Sequence, residues 1–280
     1  MHYRALSRIH YSMSANGASM HPVTLITGAS SGIGAALARE FASHGHSLVL
    51  SARRKAELET LADEIAASGR ARPVVIAADF SNAEGIAKLA EALQAAGLEP
   101  SFLVNSAGFG LLGAASELDR AEQLAMIDLN ARALTDLSLR WLDSIKRHCG
   151  GILNVASITG FMPGPGMAVY HATKAYVVSF TEALHEELKA DGVRVCALCP
   201  GPVATPFMER AGVPNEYIPR SLTRPADRVA REGYAGLMDG HRVVAPGRSN
   251  RVATLLPRLL PRWFILAFMT WRWRQVSRHG

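Results

Sequence analysis

The chain has 280 residues, 49% of them hydrophobic and 19% charged, and 30 Lys and Arg against 24 Asp and Glu give a formal charge of +6. That is enough apolar chain for one sizeable core, and α/β domains of this length are commonly single. The basic residues are scattered, with a local excess only near the C-terminus, which argues against nucleic-acid binding, and no apolar run reaches the ~18 residues that span a bilayer.

Residues 1 to 20 carry Arg4 and Arg8 and no acid. No continuous apolar stretch or cleavage pattern follows, so they are expected to be a disordered arm rather than a targeting segment. From His21 to about residue 250, short apolar or β-branched runs alternate with helical patterns. Strands are expected at 23–26, 47–50, 74–77, 102–105, 151–156, 193–198 and 242–245. Helices are expected to start near Gly32, Lys55, Asn82, Glu117, Ala168 and Pro225; Ser81 and Asn82 are natural N-caps, and Pro225 followed by Asp227 suits a first turn. The alternation predicts one Rossmann-type, doubly wound parallel sheet of about seven strands with helices on both faces. The only long irregular segment expected runs from 200 to about 224, and such a loop is commonly functional. Cys196 and Cys199 read as C-x-x-C, but their odd separation in a strand sends them to opposite faces, which favours core thiols over a metal or redox pair.

The first strand runs into Thr27-Gly28-Ala29-Ser30-Ser31-Gly32-Ile33-Gly34 and then a helix. Glycines let the backbone turn tightly and approach a pyrophosphate, and the helix N-terminus offers N–H groups and partial positive charge to the anion. Such turns also serve simply to connect strand to helix. After the second strand the chain reads Ser51-Ala52-Arg53-Arg54, where an acid would bind a ribose 2′-hydroxyl and repel a 2′-phosphate. Arg53 can fork onto that phosphate, so NADP(H) is the expected cofactor; Arg54 fits a solvated helix entry better. Far downstream, Tyr170 and Lys174 place a phenol and an ammonium one turn apart on one helix. A nearby ammonium favours the phenolate by roughly one to three pKa units, so Tyr170 is expected to be acidified for proton exchange with a carbonyl oxygen.

The G-x-x-x-G-x-G spacing, with Tyr-x-x-x-Lys downstream, resembles the short-chain dehydrogenase/reductase family over roughly residues 21 to 250. The resemblance implies an oxidoreductase in which Asn130, Ser157, Tyr170 and Lys174 are the catalytic set. Ser157 would orient the substrate oxygen, Lys174 would also bind the nicotinamide ribose, and Asn130 would interrupt its helix to hold a water leading to Lys174. It further implies cofactor contacts from Asp79 and Phe80, from Asn105, Ala107 and Gly108 (Ser106 replacing the family's second asparagine), and from Pro200, Gly201, Val203 and Thr205. Asn105 could equally tie neighbouring strands together. His171, about 100° round the helix from Tyr170, is read as packing or solvent-facing. Phe109, Phe161, Met162, Met167 and Phe207 are candidates for an apolar pocket, which suggests a lipophilic carbonyl or alcohol substrate. A homodimer or homotetramer in the cytoplasm is implied; the alternative is an NADP(H)-binding sensor or scaffold without turnover.

Residues 251 to 280 alternate Leu, Pro, Arg and Trp, and nothing in redox chemistry requires them. Aromatics and arginines suit an interfacial anchor on anionic lipid. Pro257 and Pro261 interrupt the amphipathic pattern, which favours a helix covering the substrate lid or a subunit interface.

Overall fold

A computed structural model of the chain describes residues 20–214 and 219–276, so the predicted arm lies outside the described residues except for Met20. The strands are β1 (His21–Thr27), β2 (Leu48–Ala52), β3 (Val74–Ala77), β4 (Leu98–Asn105), β5 (Gly151–Val155), β6 (Arg194–Leu198) and β7 (Val243–Val244). They form one parallel sheet in the order β3-β2-β1-β4-β5-β6-β7. The helices up to β6 are α1 (Gly32–Ser43), α2 (Lys55–Ala67), α3 (Ala83–Ala95), α4 (Arg120–Ile127), α5 (Leu134–Arg140), α6 (Leu142–Arg147) and α7 (Ala168–Leu188). Four more follow: α8 (Pro206–Arg210), α9 (Ala226–Met238), α10 (Arg248–Leu259) and α11 (Arg262–Val276).

Both faces of the sheet are covered, as the continuous apolar strands require. In β1 the fully buried neighbours Leu25 and Ile26 point to opposite faces. Ile26 joins Phe41 of α1, Leu58 of α2 and Val229 of α9. Leu25 joins Leu89 of α3, Leu137 of α5, Ile145 of α6 and Leu184 of α7. The chain leaves β1 toward β2 and β3, then returns to β4 on β1's other side. That reversal opens a crevice at the C-terminal ends of β1 and β4, where open α/β sheets receive ligands.

Several stretches differ from the sequence expectation. β4 begins at Leu98 rather than near 102, because a register shift between Val23 and Thr24 steps the ladder past Ser101 and accommodates Pro100 inside the strand. α4 starts at Arg120, where Asp119 caps it by accepting from the Glu122 N–H at 2.8 Å. The irregular segment after β6 contains α8, with Pro206 in its first turn; residues 215–218 of that segment are outside the described residues. Pro257 lies inside α10, two residues from its end, so Pro261 alone separates the tail into two helices. Cys196 and Cys199 are fully buried on opposite faces of the sheet, and burial pushes both thiols up, Cys196 to about 12. Among the described residues no cluster of three metal-ligating side chains occurs.

Gly85 ties this packing to the crevice. Asn82 caps α3 by accepting from the Gly85 N–H at 2.9 Å, and a Cβ on Gly85 would collide with the Asp79 carbonyl after β3. Alanine is ordinarily the better helix former by about 1 kcal/mol. Here Gly85→Ala is expected to lower stability by about 1 to 3 kcal/mol, the usual cost of overpacking, in urea denaturation. A stabilised variant would show that α3 does not pack so closely on Asp79.

Candidate active site

A cavity of about 970 Å³ follows the C-terminal edge of the sheet, lined by the glycine turn, the segments after β2 to β6, α8, and the inner sides of α10 and α11. Its floor is a close approach of two backbones. Gly28 has φ +67°, and a Cβ there would stand 2.7 Å from the Ala107 nitrogen. The Thr27 hydroxyl accepts from the N–H groups of Ser106 and Ala107 at 3.1 and 3.3 Å, pinning the segment after β4 to the turn after β1. Ser31 makes no side-chain cap on α1, so the first N–H groups of that helix face the cavity without a side-chain acceptor, as an anion site requires.

After β2 the two arginines separate in role. Arg54 donates to the hydroxyls of Ser30 and Ser31 at 3.0 and 2.9 Å and pairs with Glu57 at 3.3 Å, bracing the glycine turn. Arg53 is exposed at the cavity rim, with no ion-pair partner among the described residues. Asp79 accepts from the Ser81 N–H at 3.0 Å and lines the cavity with Phe80. These features form a cradle that fits a dinucleotide: small residues where backbones close on the ligand, unsatisfied N–H groups at a helix start, and no carboxylate beside Arg53.

Beyond the cradle, Ser157 follows β5, and Tyr170 and Lys174 project from α7. Tyr170 is 7% and Lys174 6% exposed. The Lys174 ammonium lies 5.8 Å from the Tyr170 ring centre and donates to the Val155 carbonyl at 2.8 Å. Asn130 occupies a π-helical turn (Asp128–Ala133) between α4 and α5, so the helix is interrupted at this residue. Its amide accepts from the Phe109 N–H at 3.1 Å and donates to the Phe109 carbonyl at 2.9 Å and the Thr173 hydroxyl at 3.2 Å. A Cβ on Gly108 would stand 2.8 Å from that amide oxygen, so glycine lets the segment after β4 rest against Asn130. His171 is buried and bonds the Met162 carbonyl at 2.8 Å, holding the loop after β5 as a packing residue.

Four of the residues singled out from sequence stand behind the cavity wall: Thr27, Gly34, Asn105 and Asn130 do not line it. Asn105 takes its strand-tying role, donating to Asn154 at 2.9 Å and Ser138 at 3.0 Å, and Ser106 lines the cavity in its place. Phe161 also stays outside the lining, whereas Met162, Met167 and Phe207 are in it; Phe109 packs beneath on Tyr170. Sequence reasoning missed Thr159, whose buried hydroxyl oxygen has no hydrogen-bond partner, and Arg210 of α8, whose guanidinium lies 4.7 Å from the Phe109 ring centre. The tail, expected over the substrate lid or a subunit interface, lines this cavity with Leu256, Phe264, Ile265, Phe268 and Met269, residues not singled out individually from sequence and more than 80 positions after Tyr170 in the chain.

Residues 22–214 match the family model described as short chain dehydrogenase. The chain belongs to the short-chain dehydrogenase family. It is 37% identical over 191 residues to sulfoacetaldehyde reductase 2 of Chromohalobacter salexigens, covering 67% of this chain and 75% of that one. A short-chain dehydrogenase from Sphingobium yanoikuyae, solved in complex with NADPH, superposes with a TM-score of 0.74 at 33% identity, over 84% of this chain and 92% of that one. A 3-ketoacyl-(acyl-carrier-protein) reductase from Brucella melitensis, complexed with NADH, gives a TM-score of 0.71 at 31% identity, over 81% and 96%. The doubly wound sheet and the oxidoreductase class of this short-chain dehydrogenase are thereby shown.

Electrostatics in the free dehydrogenase depart from the sequence expectation at Tyr170. Burial pushes the phenol up to about 12, opposed by the neighbouring Ser157 and Thr159 hydroxyls. The phenol is not acidified, because Phe207 of α8 packs on its ring at 5.6 Å, Met167 packs beside it, and the phenolate loses its water. Burial also pushes the Lys174 ammonium down, from 10.5 to about 8. Between those two values the unfolded chain holds a proton that the folded one releases, so stability rises with pH across that window. Relative to Lys174→Met, the natural protein is expected to gain about 1 to 3 kcal/mol between about pH 7.5 and about pH 10, read as a shift in denaturation midpoint. A difference that stays flat over this range would show that the ammonium keeps its water.

Proposed function

We propose that this short-chain dehydrogenase transfers a hydride between NADP(H) and a carbonyl or secondary alcohol, with Tyr170 as general acid and base. The observation that carries this reading is the convergence of Tyr170, Lys174 and Ser157 on the same cavity as the glycine cradle. When bound, the reduced nicotinamide supplies the hydride. Gly28, Ser31, Gly32 and Ile33 would hold the pyrophosphate, Asp79 and Phe80 the adenosine, and Val203 and Thr205 the carboxamide.

The protein's own part is proton chemistry. A carbonyl carbon that accepts a hydride leaves negative charge on its oxygen, and Ser157 and Tyr170 stand ready to hydrogen-bond it. At neutral pH Tyr170 is a neutral phenol, the form that donates a proton to this oxygen and completes the alcohol. Lys174, largely protonated below its value of about 8, stabilises the phenolate left behind until a proton from solvent restores the phenol. In oxidation the same groups act in reverse, the phenolate accepting the alcohol proton.

The preference for NADP(H) rests on Arg53 and on the absence of a carboxylate after β2. The apolar wall from Met162, Met167, Phe207 and the tail supports a lipophilic substrate. A homo-oligomer is part of the same proposal, supported by the exposed Leu124, Ile127, Leu139 and Tyr176 on α4, α5 and α7.

A ketone and aldehyde screen following NADPH absorbance tests the reaction. Tyr170→Phe is expected to lower turnover by at least about 100-fold with NADPH binding nearly unchanged; retained turnover would remove Tyr170 from its role. A protein that binds NADPH and reduces none of the panel would be a sensor. Arg53→Ala is expected to weaken NADPH about tenfold or more and NADH by much less. Equal losses would refute the 2′-phosphate assignment.

A further inference from the structure

The two tail helices each present two faces, and the cavity uses only one. In α11 the residues Phe264, Ile265, Phe268, Met269 and Arg272 line the cavity. The opposite stripe is Trp263, Leu266, Ala267, Trp271 and Arg274, spaced as one side of a helix, and every member is exposed, Trp263 at 70%. The cavity takes Ala253, Leu256 and Pro257 of α10 and Leu260 just after it, leaving Val252, Leu255 and Leu259 outside, Leu259 at 80%. Of the fifteen large hydrophobic side chains exposed among the described residues, six lie on this outer face, Val252, Leu255, Leu259, Trp263, Leu266 and Trp271. So dense an apolar surface calls for a cover.

Charge selects the cover. After Asp239 the sequence has no Asp or Glu, whereas Arg248, Arg251, Arg258, Arg262, Arg272, Arg274 and Arg278 crowd the tail. Arg251, Arg258, Arg262 and Arg274 are exposed, Arg258 reaching Glu182 of α7 at 3.8 Å. A second copy docked across a two-fold axis would set this arginine-rich surface against itself with no tail carboxylate to answer it. The exposed apolar residues of α4, α5 and α7 lie on other elements, so self-association does not need the tail. Tryptophans beside arginines on an apolar stripe match the headgroup boundary of a bilayer, where rings settle among the upper acyl chains and guanidiniums meet lipid phosphates. No helix among the described residues is long and apolar enough to cross, and α11, with 15 residues, spans only about 22 Å, so it would lie in the plane of the surface.

We infer that the outer face of α10 and α11 docks this protein on an anionic lipid surface, with the tail as the shared wall between bilayer and cavity. This docking is independent of the redox reading, since it is measured without turnover. Full-length protein is sedimented with phosphatidylcholine vesicles and with vesicles containing about 30% phosphatidylglycerol, while tryptophan emission is followed. Expected are binding at least about tenfold stronger to the anionic vesicles, a blue shift on binding, and loss of binding as salt rises from about 0.1 M to about 0.5 M. The triple variant L259D/W263D/W271D changes exposed residues that do not line the cavity, so its thermal melt and NADPH affinity should stay near those of the natural protein. Its anionic-vesicle binding should fall about tenfold or more. The milder R251Q/R262Q should weaken binding in the same direction and serves if the triple variant misfolds. No sedimentation with either vesicle, or equal sedimentation with both, would overturn the inference. So would a natural protein that self-associates through this face, becomes less associated in the triple variant, and ignores vesicles.

Discussion

An ammonium removed from water must be given hydrogen-bond acceptors or its proton becomes easier to lose. Lys174 is given one, the Val155 carbonyl, and much of the surrounding site follows from placing it there. Val155 ends β5, whose position is set by pairing with β4 and β6, so the lysine is referenced to the sheet rather than to a mobile loop. Gly160 allows the segment after β5 to close on α7, since a Cβ would meet the Lys174 carbonyl at 2.7 Å. The Asn130 amide then joins the segment after β4 to Thr173, the residue preceding the lysine. Three strands and two helices thus converge on one buried positive charge, and Tyr170 is carried one turn before it on the same helix.

The same burial explains how far the site was legible. Strand and helix alternation, the glycine turn, the Tyr170 and Lys174 pairing and the opposite facing of Cys196 and Cys199 are local patterns that follow from backbone periodicity. The bulge that keeps Pro100 inside β4 depends on pairing with β1, which no local window contains. Asn105 reads as a ligand contact by position, yet its side chain turns into the sheet because Asn154 and Ser138 are there to receive it. The one-turn spacing of Tyr170 and Lys174 by itself implies an acidic phenol. Its value near 12 reflects covering by Met167 and Phe207, and Phe207 arrives from a helix more than 30 residues later.

The covering helix also bears on the charge at the other side of the cavity. α8 contributes Phe207 to the Tyr170 ring and Arg210 to the Phe109 ring, so one five-residue helix touches both α7 at Tyr170 and the segment after β4. Arg210 is held below its usual range, first by burial and then by the positive charges of Arg53 and Arg54, with Glu122 opposing. Cations that face one another across a cavity favour an anion in that space, and they do so most when low-dielectric walls exclude water. Phe207 and Arg210 stand three residues apart, on adjacent sides of a single turn, so the ring over Tyr170 and the guanidinium over Phe109 are positioned together by one short helix.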